Sequence, residues 1–453
     1  MSAKGIRALA TLAASSNDGH VRNERSAPGA KNVGFSTMAV QATDENIPLE
    51  SAFNPFDTVF MTDPDETLAR ARDAGTIFFS PILGAWIVTR YDDVVSVLRD
   101  PTLFCSKEIL SITELLSPEV IDLFGDEIPM EGTLIGVDPP DHTRLRNVME
   151  SSFTASNVAS HEAMIRYACD ELVDGIERGG SADLLSQFSY PLPLRVVALL
   201  LGMPKKAMPS LRRGVKDWPD LAIALLMGVP LDQQLTMANN ILEMHRMITR
   251  LIEERYVRPQ NDLLTVIAQG RDEYSLSERE MLSLVPGLFL AGHETLAHEL
   301  TNVLWRLLSV PERWQALVED PKMGPQFFDE ALRCDPSVYG MWRIATRDTV
   351  LLGQSIAAGQ KLFLVYLAAN RDEQYYDDAN TFTLDRGRVA PNLAFGRGIH
   401  HCIGAPLARL EARIALEVLA QRLPNLRLAD VFTPIYQPHP FLRGMAELPV
   451  TWD

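Results

Sequence analysis

Residues 394–423 read AFGRGIHHCIGAPLARLEARIALEVLAQRL. Gly396 and Gly398 precede Cys402, and Leu407, Leu410, Ile414 and Leu419 follow it at helical spacing. The cysteine is therefore expected on a tight loop that runs directly into a helix N-terminus. Glycines allow a backbone to pass close to a bulky planar group. The N–H groups and dipole of a helix start stabilise a thiolate and lower the cysteine's pKa. The segment is suited to holding a sulfur anion, although a buried structural cysteine would give the same local pattern. A nucleophilic cysteine would need a positioned base, and the adjacency of His400 and His401 does not orient one. Zinc would need further Cys or His ligands at matching spacing, and none accompany Cys402.

Upstream, LVPGLFLAGHETLAHELTNVLWRLL (284–308) is apolar almost all round, as expected for a helix that crosses a core. Ser277 and Glu280 form a capping box at its start. In its middle stand Ala291, Gly292, His293, Glu294 and Thr295, an unusual polar group for an apolar helix, since a buried carboxylate costs free energy unless solvated or paired. A polar face turned to solvent is the alternative. Pro286 is expected to bend or break the helix. Further motifs are Glu330–Arg333 at i, i+3 on one helix face, and VDPPDHTRLRNVM (137–149), where His142 and Arg146 stand at i, i+4 behind Pro140. Two donors on one face suit a pair of carboxylates.

The remaining sequence bounds the architecture. The 453 residues carry 42 Lys+Arg and 59 Asp+Glu, a net charge of −17 that argues against a nucleic-acid partner. Four cysteines in so long a chain are no disulfide framework and suit a reducing compartment. No run reaches the roughly 18 apolar residues needed to cross a bilayer. Residues 1–45 are expected to be a flexible extension and 46–453 one compact domain. The periodicities predict a helix over 54–75, a hairpin over 77–91, a loop-like stretch over 105–140, helices over 141–330, short strands over 343–368 and a final helix over 402–422. The fold class is mainly α with minor β.

The pattern Phe395-Gly396-x-Gly398-x-His400-x-Cys402-x-Gly404 resembles the haem-binding loop of the cytochrome P450 family, the haem-thiolate monooxygenases, whose cysteine ligation of iron is a standard example. The resemblance covers about Asn54 to Asp453 and looks like the soluble, bacterial-type members. It implies haem b with the axial thiolate from Cys402. Phe395 and Gly396 belong to the same loop, and His142, Arg146, Arg343 and His400 would be propionate partners. Gly292 would admit dioxygen, and Glu294 and Thr295 would feed it protons. Glu330, Arg333 and Arg386 would form a structural network. The implied reaction is R–H + O2 + two electrons + two protons giving R–OH + H2O, by hydroxylation or oxidative dealkylation.

With no flavin or ferredoxin module in the chain, electrons would come from a separate ferredoxin and its reductase, and the setting would be cytoplasmic. Arg144, Arg397, Arg409 and Arg413 could offer such a partner a local basic patch despite the acidic total. The pocket segments offer Ile135, Leu226, Met227, Leu288, Val338, Met341, Phe441 and Leu442, an apolar set with no clear charged anchor. Two other readings exist: a haem-dependent isomerase or dehydratase, which would not need the Glu294–Thr295 pair, and a haem-binding sensor, which would need no proton relay.

Overall fold

The computed structural model describes residues 47–109, 111, 116–125, 132–226, 229–387, 390–429 and 432–453. The expected extension over 1–45 lies outside them. Helices dominate, and a five-stranded sheet stands at one side. In sheet order its strands are Phe78–Ser80, Ala85–Val88, Lys361–Leu364, Met341–Ala345 and Phe104–Cys105. All neighbours are antiparallel except the second and third, which pair in parallel with Ala85 opposite Lys361. The predicted hairpin forms, with Phe78 opposite Ile87. A three-stranded sheet joins Ser181–Asp183, Pro449–Thr451 and Arg427–Leu428.

The central helix runs from Glu278 to Leu308 without a break. Both halves of its capping box are made: the Ser277 N–H donates to Glu280 Oε2 at 2.8 Å, and the Glu280 N–H donates to Ser277 Oγ at 3.2 Å. Pro286 lies inside this helix and does not end it. Its missing N–H removes one hydrogen bond, but fully buried Val285 and Phe289 beside it anchor the helix in the main core. Helices Pro191–Leu200 and Gly324–Cys334 pack against it, and so does the helix Ala405–Arg422 that follows the cysteine.

Three boundaries differ from expectation. The helix predicted over 54–75 is two helices, Thr58–Thr62 and Asp65–Asp73, because Pro64 excludes the residue before it from helical geometry. The stretch expected to be a loop contains a helix, Pro118–Phe124, started by Pro118 and ended at Gly125 with φ of +54°. Its Val120 and Phe124 join Trp218 and Leu221 in a small separate core. The last helix begins at Ala405 rather than at the cysteine.

Candidate active site

The loop before the last helix is held by its own backbone. The Cys402 N–H donates to Phe395 O at 2.9 Å, and the Gly396 N–H donates to Leu393 O at 2.8 Å. Gly398, with φ of +74°, lies so close to the helix Tyr91–Arg99 that a Cβ there would stand 2.3 Å from the Leu98 carbonyl oxygen. Only glycine fits that position. Arg146 Nη1 donates to the carbonyls of Ile399 at 3.1 Å and His401 at 3.0 Å, which clamps the loop from the facing helix Asp141–Glu150.

The sequence predicted a thiol acidified by the helix start, and here the structure differs. Burial pushes the Cys402 thiol up, and the N–H groups of Gly404 and Ala405 together with the Arg146 and Arg409 charges only partly oppose it. A helix terminus alone does not offset burial on this scale. A metal cation on the sulfur would, because coordination deprotonates a thiol outright.

In the same cavity as the cysteine lie two imidazole nitrogens without partners and a buried guanidinium. The rings of His142 and His400 are 4.3 Å apart. Nε2 of each is buried with no hydrogen-bond partner among the described residues. Burial, and then the Arg343, His142 and Arg146 charges, hold His400 down at about 3. Arg343, 4 % exposed in the middle of the large sheet, donates to the carbonyl of its neighbour Trp342 at 2.6 Å. Burial pushes its guanidinium below the ordinary value. Asp138 lies 3.9 Å from His400, beyond hydrogen-bond distance. Such a cluster fits an incoming anion with several oxygens.

The central helix supplies the opposite wall. Thr295 Oγ1 donates to the Ala291 carbonyl at 2.6 Å, a back-bond that bends helices. Burial and the nearby Asp220 charge push the Glu294 carboxyl up to about 7. His298 Nε2 lies 4.0 Å from Glu294. A Cβ on Gly292 would meet Val197 at 3.1 Å, so this glycine also serves the close approach of helix Pro191–Leu200. His293 points away from the wall, with Nε2 3.1 Å from the Tyr190 carbonyl.

A buried network braces the cysteine loop from behind. Arg333 bonds both oxygens of Glu330 at 2.9 and 2.8 Å, and Arg386 bonds Glu330 at 2.9 Å. Arg333 also donates to the Asn370 carbonyl at 3.0 Å, while the Asn370 side chain accepts the Leu393 N–H at 2.6 Å. The network thus reaches the residue whose carbonyl holds Gly396.

All ten residues singled out in the sequence (His142, Arg146, Gly292, Glu294, Thr295, Arg343, Phe395, Gly396, His400 and Cys402) line one cavity of about 550 Å³. Ile135, Leu288, Val338, Met341, Phe441 and Leu442 line it too. Met227 and the side chain of Leu226 lie outside the described residues. Tyr366, Glu299, Ser337 and His439 also contribute to the wall. Glu299, Ser337 and His439 fall within the pocket segments but were not singled out there, because periodicity alone does not assign a face; Tyr366 carried no signal. No group of three or more Cys, His, Asp or Glu able to hold a metal occurs among the described residues. A cysteine sulfur and unmet polar atoms in one cavity fit the metal macrocycle with carboxylates that the sequence resemblance implies. Fold and site are those of the haem-thiolate class.

The comparisons agree. The family model "Cytochrome P450" matches residues 216–425. Cytochrome P450 CYP107DY1 of Priestia megaterium is 33 % identical over 399 residues, covering 86 % of this chain and 94 % of the relative. The mycinamicin IV hydroxylase/epoxidase of Micromonospora griseorubida is 36 % identical over 375 residues, covering 81 % and 89 %. The crystal structure of CYP109E1 from Bacillus megaterium in complex with testosterone superposes with a TM-score of 0.75 at 27 % identity, covering 88 % of this chain and all of that one. The chain belongs to the cytochrome P450 family, haem-dependent oxidoreductases that bind iron through a cysteine thiolate. Among the described residues no helix is long and apolar enough to cross a membrane.

Proposed function

We propose that this chain inserts one oxygen atom of O2 into an apolar small organic molecule, by hydroxylation or oxidative dealkylation, with electrons from a separate ferredoxin and reductase. The observation that carries this reading is the convergence of ten motif residues on one cavity. Cys402 would hold the iron, and Arg343, His142 and His400 would bind the propionates. Arg146 would act on the loop as well, since it bonds two loop carbonyls. When bound, haem supplies the redox chemistry that activates dioxygen.

The proton-handling groups belong to the chain. Glu294, held near 7, can carry a proton and release it at neutral pH, the range in which a general acid works best. Thr295 donates to Ala291 and keeps acceptor capacity on its oxygen for a proton arriving from the Glu294 side. The relatives support oxygen insertion, since one is named a hydroxylase and epoxidase. The cytoplasmic setting goes with four free cysteines.

The docking patch is weaker than the sequence implied. Arg409 pairs with Asp329 at 3.1 Å, Arg413 with Glu162 and Glu417 at 2.7 and 2.8 Å, and Arg144 with Asp141 and Glu280. Three of the four arginines are thus matched by local acids.

Reconstitution tests the whole reading. The haem-loaded protein, a ferredoxin, its reductase and NADPH should give product that depends on both O2 and NADPH. Product formed without O2 would overturn oxygen insertion and favour an isomerase or dehydratase.

A further inference from the structure

Glu299 lies one helical turn beyond Thr295 on the same face of the central helix, about 6 Å further along the axis. It contributes to the cavity wall yet is only 2 % exposed. Its Oε2 accepts the Ser337 N–H at 2.7 Å, whereas Oε1 has no hydrogen-bond partner among the described residues. The nearest charges are already committed. Asp335 bonds Arg306 at 2.5 Å and Arg443 at 3.0 Å, and Arg371 lies 3.7 Å away.

Burial is the largest influence on the Glu299 carboxyl. It outweighs the Ser337 bonds and the Arg443 charge and, with Asp335 adding to it, pushes the group up to about 8. The carboxyl is therefore neutral near pH 7. Since Oε2 accepts an N–H, the proton belongs on Oε1. A buried O–H without an acceptor forgoes a hydrogen bond that a ligand can supply.

The surroundings restrict that ligand. Three arginines share Asp335 behind Glu299, which disfavours a cation. His439, also in the wall, is held at about 3 by burial and so adds no charge. Its Nδ1 already accepts the Leu442 N–H at 2.9 Å.

We propose that Glu299 orients the substrate, its Oε1–H donating to a neutral carbonyl or hydroxyl oxygen on an otherwise apolar molecule. This rests on the cavity being the oxidation chamber.

The test uses haem-loaded protein and three probes of one ring size: cyclooctanone, cyclooctane and cyclooctylammonium, with dissociation constants from calorimetry. The parent should bind the ketone about tenfold more tightly than the hydrocarbon, the equivalent of about 1.4 kcal/mol. Glu299→Leu should abolish that ratio while leaving cyclooctane binding within about twofold. Glu299→Gln, whose amide still donates, should keep most of it. An equal ketone preference in parent and Glu299→Leu overturns the proposal, as does a parent that prefers the ammonium or shows no preference. Should Glu299→Leu not fold, Glu299→Asp must still lower the ratio, because its shorter side chain draws the donor back. The reduced carbon monoxide band separates the two readings: its absence in the parent defeats the haem-thiolate site, whereas its presence with no ketone preference defeats Glu299 alone.

Discussion

The two walls of the cavity are built on opposite principles. The cysteine loop is fixed by main-chain bonds and by a backbone contact that tolerates only glycine at 398. The central helix presents side chains whose hydrogen bonds or charges are incompletely met: Glu294 near 7 and Glu299 near 8. Holding a metal ligand calls for a position that does not move. Passing protons and orienting a substrate calls for groups whose state can change. Rigidity is supplied by backbone geometry, and adjustability by burial of titratable side chains.

The sharpest way to break this contrast is at the rigid wall. Cys402→Ala should abolish the reduced carbon monoxide band near about 450 nm and lower oxygen insertion at least about a hundredfold. A surviving band would mean that another group holds the iron. Gly398→Ala should cost about 3 kcal/mol and loosen haem retention, since both the positive φ and the Leu98 carbonyl oppose a side chain. Gly404→Ala should cost under about 1 kcal/mol, because the nearest atom to its Cβ is Cys402 Sγ at 3.8 Å. Thermal unfolding of the two variants, measured side by side, checks the asymmetry.

The adjustable wall predicts a different signature. Glu294 has its folded pKa raised, so the native state holds the extra proton between the unfolded value of 4.5 and about 7. The stability linked to that proton is complete below 4.5 and is lost as pH rises through 7. Stability of the parent relative to Glu294→Gln should therefore fall by about 3 kcal/mol between pH 4 and 8. A flat difference would place the carboxyl in ordinary solvent. Thr295→Ala should leave the carbon monoxide band intact and divert about tenfold more of the NADPH to hydrogen peroxide. Unchanged coupling would remove Thr295 from the relay. The smallest effect belongs to the surface. Charge reversal at Arg409 and Arg413 together should change ferredoxin-dependent reduction by no more than about threefold, because both are already paired with acids. A steep, salt-dependent loss would restore the basic docking patch.

The rigid wall was legible in sequence because glycine spacing, a lone cysteine and a following apolar periodicity are local signals. The Glu330–Arg333 pair was legible only by its order in the chain, since its bond to the Asn370 carbonyl, and that residue's own bond to the Leu393 N–H, join remote backbone groups. Glu299 was illegible. In sequence it is an acid on a long helix, and only its burial against Ser337 and the Asp335 arginines distinguishes it. The same reason explains the thiol of Cys402, whose direction of shift was misjudged because desolvation has no local signature.

The sequence by itself determined the mainly helical class, the family, the metal-ligand candidate and the capped central helix. These depend on periodicity and on backbone requirements a few residues apart. Tertiary structure decided which donors lack acceptors, which arginines are neutralised and which carboxyls hold a proton at neutral pH. Each of those depends on how much water and charge the folded neighbours leave around a group, and that sum is set by segments from tens to hundreds of residues away.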